Sequence, residues 1–246
     1  FSANGGISTK LRLLSLEGVD GKPARPRLDR EGTFGFDPTV AVAHLRKSDA
    51  ALGRIIDRVG PFEMRLKHAS SLFAALAEAI VYQQLSGKAA ATIFGRVCAL
   101  FPSAPAGVTA RQILSVSDEN LRAAGLSRSK LLALQDLAER SEAGEIPTLV
   151  QIQRWSDDEI VERLSEVRGI GRWTVEMLLM FALSREDVFA IDDLGIQNAM
   201  IKLYKLDRED KKKFREDMLR ISNKWSPYRT YACKYLWEWK DNSPTI

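Results

Sequence analysis

Cysteine and histidine are almost missing. Cys98, Cys233, His44 and His68 are all there is of either in 246 residues. Neither cysteine has a second Cys or a His at ligand spacing, which excludes a disulfide framework, a zinc site and an iron–sulfur cluster. The thiols read as reduced core residues of an intracellular protein. Each histidine stands alone on an amphipathic or loop stretch, so His-dependent acid–base chemistry loses most of its footing. No apolar run reaches the ~18 residues that a membrane helix needs, and no charged-then-apolar secretory pattern opens the chain, so no membrane partner is expected. The first residue is Phe1 rather than Met, and a trimmed start is expected. An excess of one charge is lacking too. Lys and Arg number 36 against 32 Asp and Glu, and a net +4 is too small to name a polyanionic partner.

What is present is an ordinary globular composition, 45% hydrophobic and 28% charged, written in a helical period. Asp37-Pro38 is an N-cap followed by a first-turn proline. It opens a helix through Leu45, and a second follows from Asp49 to Val59. Leu72, Leu76, Ala79, Ile80 and Gln83 mark one face of a third, and Lys88 to Phe101 forms a fourth with Ile93, Val97 and Leu100 inward. Further helices fit 110–115, 118–124, 128–140, a stretch opened by the capping box Ser156-x-x-Glu159, then 172–183, 194–204, 208–224 and a last one opened by Ser226-Pro227. Strand-type alternation is scarce, with Lys10-Leu11-Arg12-Leu13 the one short run. The fold class expected is all-α. The organisation expected is a basic, glycine-punctuated arm over 1–36, one helical lobe from 37–60 with 197–246, and a second from 61–196.

The most informative stretch runs from Leu164 to Met177 through Arg168-Gly-Ile-Gly-Arg-Trp173-Thr. A capped helix enters Gly169-Ile170-Gly171 and a second apolar helix leaves at once, giving a helix-hairpin-helix over 157–183. Two glycines let the backbone take positive φ and approach another chain closely. Amide hydrogens at the start of the second helix, with Arg172 and Thr174 beside them, then face outward, where the helix dipole favours a phosphate. Ile170 packs between the helices in this reading. A tight interhelical turn is the alternative. Beyond it, Val188-Phe-Ala-Ile191 runs into Asp192-Asp193-Leu194. Either both carboxylates cap the next helix, or one caps and the other faces a cleft. Gly125-Leu-Ser127 leads into another helix N-terminus with Lys130, a second phosphate cradle or an ordinary capped helix. Lys211-Lys212-Lys213 follows Asp207, Glu209 and Asp210 and reads as a solvated helix face.

These segments together resemble the helix-hairpin-helix DNA glycosylase superfamily, and within it the 3-methyladenine DNA glycosylase II (alkylbase) branch. The likeness covers about 37–240. It rests on Leu164–Thr174, on Asp193 at its spacing from the hairpin, on Ala79-Ile-Val-Tyr-Gln83-Gln84-Leu-Ser86-x-Lys88-Ala-Ala90, and on Trp225-Ser-Pro-Tyr-Arg229 with Leu236-Trp237. The resemblance implies a two-lobed helical fold with a cleft between lobes and a partner of double-stranded DNA containing damaged bases, bound by a monomer. Asp193 is then the catalytic carboxylate, and Asp192 orients or caps. Trp173, Trp237, Met177 and Leu194 line the base pocket, though some members carry tyrosines at the last two. Gly169, Ile170, Gly171, Arg172, Thr174, Gln83, Gln84, Ser86, Lys88, Gly125, Ser127 and Lys130 contact DNA, with Gln84 at the position of the wedge that fills the gap in the stack. Relatives that also cut the backbone carry a lysine where this chain has Trp173, which implies a monofunctional enzyme. The stretch before Asp37 is too short for the β-rich N-terminal domain of some bacterial members. No cofactor is required; the resemblance allows a sodium or potassium ion on the hairpin carbonyls near Val167 and Gly169.

The chemistry agrees with these residue types. A base inside the stack must be flipped out, at least cost for a damaged pair. An alkylated purine is cationic, so an electron-rich aromatic wall attracts it, and it leaves without a general acid. The remaining need is a carboxylate to stabilise an oxocarbenium-like sugar. A same-fold enzyme for uracil or oxidised bases, and a non-catalytic DNA-binding module, are the alternatives. Phosphate contact through backbone amides adds no formal charge, so a balanced composition is compatible with DNA binding and predicts a modest salt slope.

Overall fold

The computed structural model describes residues 37–61, 69–101 and 107–241. The arm over 1–36, with its expected strand at 10–13, lies outside them. The described residues are helical and contain no strand. Thirteen α-helices follow in order: α1 Pro38–Ser48, α2 Ala50–Val59, α3 Leu72–Tyr82, α4 Gly87–Ala99, α5 Ala110–Ser115, α6 Asp118–Ala123, α7 Arg128–Glu142, α8 Leu149–Ile152, α9 Asp157–Leu164, α10 Arg172–Phe181, α11 Leu194–Tyr204, α12 Lys211–Ser222 and α13 Arg229–Asp241. A 3₁₀ turn over Asn223–Trp225 separates the last two. None of these is long and apolar enough to cross a membrane.

Local chemistry sets most helix starts. Asp37 Oδ1 accepts from the Thr39 amide at 2.8 Å, with Pro38 at the first position where no amide is missed. The capping box at Ser156 is complete: Glu159 accepts from the Ser156 amide at 2.7 Å and Ser156 Oγ accepts from the Glu159 amide at 3.2 Å. Thr148 builds a similar box before α8, a single turn that apolar periodicity does not register. At the end of α4 the expected inward Leu100 is 37% exposed, because the helix stops at Ala99 and Leu100 falls beyond the buried stripe of Ala90 and Val97.

Two compact units divide the chain. The first holds the described residues up to 61 and from 179 onward; the second holds those from 69 to 178. The division falls at 178/179, inside the continuous helix α10, where the sequence reading set it at 196/197. Asp193 therefore belongs wholly to the first unit. The reason is packing: α11 and α13 lie against each other and against α2, and the loop leading to Asp193 is bonded to α13.

The core of the first unit is organised around a buried carboxylate. Asp49 caps α2, its Oδ1 accepting from the amides of Ala51 and Leu52 at 3.0 and 3.1 Å. Its Oδ2 accepts from Tyr204 Oη at 2.8 Å and from Trp225 Nε1 at 3.0 Å. The Tyr204 hydroxyl is pushed well above the usual tyrosine range by burial and by that carboxylate. In the second unit, α7 packs against α3, α5 and α6, and α3 packs against α4. Leu72, Leu76 and Ile80 from α3 and Leu131, Leu134 and Leu137 from α7 are buried there.

Candidate active site

In the first unit, the loop over 185–193 presents the two adjacent carboxylates. Thr230 at the start of α13 fastens it, its hydroxyl donating to the Arg185 carbonyl at 2.6 Å and accepting from the Val188 amide at 3.0 Å. Asp187 accepts from Arg229 Nε at 2.8 Å and from Ser226 Oγ at 2.7 Å, and Arg229 Nη2 donates back to the Asp187 carbonyl at 2.9 Å. At the other end, Gln197 Nε2 donates to the Ile191 carbonyl at 3.0 Å. The loop and the N-terminal turn of α13 thus form one braced piece, which sets where α13 delivers Trp237.

That placement matters because Trp237 reaches the carboxylate. Its Nε1 donates to Asp193 Oδ1 at 2.9 Å, and the same oxygen accepts from the Ile196 amide at 2.8 Å. Asp193 is half-buried, the N-cap of α11, and held by a backbone and an indole donor at once. By sequence, Asp192 is expected to orient or cap. In the structure the cap is Asp193, and the exposed Asp192 pairs with Arg215 at 2.7 Å. Only the residue immediately before α11 can reach the Ile196 amide three positions on, so the two carboxylates are not interchangeable.

Gly195 is the residue that sequence reasoning missed here. A Cβ at this position would lie 3.0 Å from Asp193 Oδ1 and 3.2 Å from Trp237 Cδ1. The indole meets the carboxylate only because that carbon is absent. Glycine just inside a helix carries a propensity penalty, and that anomaly was the available signal. Phe181 completes the aromatic surface, its ring centroid 6.1 Å from that of Trp237. Leu194, expected as a pocket wall, is 58% exposed.

The hairpin residues gather in the second unit. Gly169 has φ +77° and a Cβ there would meet the Ala133 Cβ at 3.2 Å, so the fold itself demands glycine. Gly171 has no positive φ, and a Cβ there would meet nothing within 4 Å. Ile170 is buried as expected. Thr174 is also buried. Arg172 is tied to the buried Glu176 at 2.8 Å. Trp173 is 43% exposed at the first turn of α10, and Met177 is half-buried one turn on.

Gln83, expected on DNA, turns inward to the hairpin. Its Nε2 donates to the Gly169 carbonyl at 2.8 Å and lies 3.4 Å from Thr174 Oγ1. The Val167 carbonyl accepts from the Ile170 amide at 3.0 Å. A monovalent ion at these two carbonyls would have only their second lone pairs, a sparse donor set. No group of three or more His, Cys, Asp or Glu side chains that would hold a metal occurs among the described residues. Gln84, Leu85 and Ser86 are exposed on the turn between α3 and α4 and Lys88 is exposed in the first turn of α4; the apolar Leu85 is 39% exposed beside the expected wedge Gln84. Ser127 caps α7 through the Lys130 amide at 3.3 Å, next to an exposed Gly125. Lys130 does not point outward from that cradle. Its ammonium donates to the carbonyls of Val81 and Gln83 at 2.7 and 2.8 Å, and burial lowers its pKa.

Comparison with known proteins finds relatives that match most of the chain. The DNA-3-methyladenine glycosylase 1 of Schizosaccharomyces pombe is 37% identical over 206 residues, covering 81% of this chain and 86% of that protein. The solved structure of the 3-methyladenine DNA glycosylase of that yeast in complex with abasic DNA matches with a TM-score of 0.70 at 36% identity, over 81% of this chain and 95% of that one. A DNA-3-methyladenine glycosidase from Bacillus halodurans matches with a TM-score of 0.71 at 34% identity, over 82% and 89%. The family described as HhH-GPD superfamily base excision DNA repair protein matches residues 77–224, a span that holds both the hairpin and Asp193. By that match and by these relatives, the chain belongs to the HhH-GPD superfamily.

Proposed function

We propose that this protein is a monofunctional DNA glycosylase that flips alkylated bases of the 3-methyladenine type out of duplex DNA and hydrolyses their N-glycosidic bond. The observation that carries the reading is the Asp193 carboxylate, fixed by the Ile196 amide and the Trp237 indole beside an aromatic surface. A carboxylate held in place needs no reorganisation when positive charge develops on the sugar. As the C1′–N bond breaks, its electron pair passes to the base and neutralises the cationic ring. Water then bonds to C1′, and its proton leaves to Asp193, so that an abasic sugar and a neutral base remain. Trp237 and Phe181 offer electron-rich faces next to the carboxylate, worth up to ~2 kcal/mol to a desolvated cation. Trp173 belongs to the second unit and is exposed on the hairpin helix.

The helix α10 carries no lysine, so no amine on it can form a Schiff base with the abasic sugar. Release of free 3-methyladenine from alkylated duplex, with no enzyme–DNA adduct trapped by borohydride, is the expected result. Either failure to release the base or a trapped adduct would contradict the proposal.

The hairpin serves as the phosphate grip in this reading, and its two glycines separate fold from binding. Gly169→Ala should lower stability by about 1–2 kcal/mol, because the left-handed φ and the Ala133 contact both oppose a Cβ. Gly171→Ala should leave the melting temperature unchanged and weaken binding to undamaged duplex about tenfold, since only an external chain would meet its methyl. Gel-shift titration at fixed salt checks this. A Gly171→Ala protein that binds as wild type would remove the hairpin from the interface.

A further inference from the structure

The turn between α3 and α4 contains a strained residue. Gln84 has φ +57°, a left-handed conformation that is unfavourable for a non-glycine residue unless its surroundings impose it. Those surroundings are visible. Lys130 Nζ donates to the Val81 carbonyl at 2.7 Å and to the Gln83 carbonyl at 2.8 Å, bridging the last turn of α3 and the residue before Gln84. Gln83 Nε2 holds the Gly169 carbonyl at 2.8 Å, and the Leu85 amide donates to the Tyr82 carbonyl at 3.4 Å. Gln84 and Leu85 stand exposed beyond these clamps. A cation at a helix C-terminus also meets the negative end of the dipole, which adds to the two charge-assisted bonds.

We infer that Lys130 is a positioning residue whose ammonium, gripping the Val81 and Gln83 carbonyls, locks the Gln84–Leu85 tip in the pose that fills the gap left by a flipped nucleotide. The inference rests on the glycosylase reading above and deepens it. It reassigns a lysine that stands at a helix N-terminus and would otherwise be taken as a phosphate contact. With the clamp in place, the tip is pre-ordered and the strain at Gln84 is met during folding rather than on DNA. Without it, the backbone relaxes toward ordinary φ and the tip must be reordered at each flipping event. Arginine retains donors for both carbonyls; methionine keeps the length of the stem and has none.

The test compares wild type, Lys130→Met and Lys130→Arg on two substrates: the lesion in a matched duplex, and the lesion in an unpaired bubble, where no stack has to be refilled. Expected for Lys130→Met is an approximately tenfold or larger loss of single-turnover release on the matched duplex, release within about twofold of wild type in the bubble, and a slowed fluorescence rise from a 2-aminopurine beside the lesion. Lys130→Arg should recover most of the duplex rate. Equal losses on the two substrates would mean a merely structural role and would overturn the inference, as would an unchanged duplex rate. Undiminished activity of Lys130→Met with a weakened response to salt would return the residue to phosphate contact. If wild type releases no base from either substrate, it is the glycosylase reading that fails; the clamp is then judged by Gln84 φ in a crystal structure of Lys130→Met, where an unchanged +57° overturns it.

Discussion

Asp193→Asn should slow release of an alkylated base by about a hundred- to a thousandfold, the typical cost of removing one preorganised electrostatic stabiliser. The variant tests charge alone. An asparagine oxygen still accepts from the Ile196 amide and from Trp237 Nε1, both of which meet Oδ1 in the native protein at 2.8 and 2.9 Å. The cap on α11 and the indole contact are therefore kept, while the negative charge that would face the developing sugar cation is lost. Binding to a duplex containing an abasic analogue should change by less than about threefold. Single-turnover release and gel-shift titration of the same preparation separate the two quantities. Release within fivefold of wild type would remove Asp193 from the chemistry, and a melting temperature well below wild type would make it a structural cap. Asp192→Asn is the matched control, because its partner is the exposed Arg215 and surface pairs of this kind contribute little.

Asp49→Ala should lower stability by about 3 kcal/mol or more, at least about 10 °C in melting temperature for a chain of this size. The contributions are separable. Loss of the α2 cap costs about 1 kcal/mol. The fully buried Trp225 Nε1 and the half-buried Tyr204 hydroxyl then lose their acceptor, at about 1–3 kcal/mol for each group left unsatisfied. Asp49→Asn should fall between the two, since an amide accepts on one side only and Asp49 accepts on both. Thermal melts of the three proteins at one pH decide the matter. A shift under 2 °C for the alanine variant would show that the two α-helices and the 3₁₀ turn it connects do not depend on the carboxylate.

Legibility in the sequence followed the range of the interactions. Asp37 with Thr39, and Ser156 with Glu159, are contacts across two or three positions, so the helix starts could be read directly from residue types. The hairpin was legible for the same reason: Gly169 answers to a backbone conformation, which is a local demand. The resemblance carried Asp193 and Trp237 as separate residues, and nothing in the periodicity said that they touch. Their contact spans 44 positions, that of Gln83 with Gly169 spans 86, and that of Trp225 with Asp49 spans 176. A helical period states which face is buried and leaves open what buries it.

The choice between Asp192 and Asp193 shows this limit most clearly. Both are aspartates after the same apolar run, and either satisfies a capping pattern by type. The chain alone settles that the protein is helical, that a glycine hairpin precedes a carboxylate, and that few histidines and cysteines are available for other chemistry. Packing settles the rest. Thr230 and Arg229 brace the loop against α13, α13 carries Trp237 to the carboxylate, and Gly195 leaves the room for it. Lys130 is turned from a helix N-terminus onto two carbonyls by the same cause, because a side chain takes the partners that the packed backbone places within its reach, and those positions are set by contacts far apart in the chain.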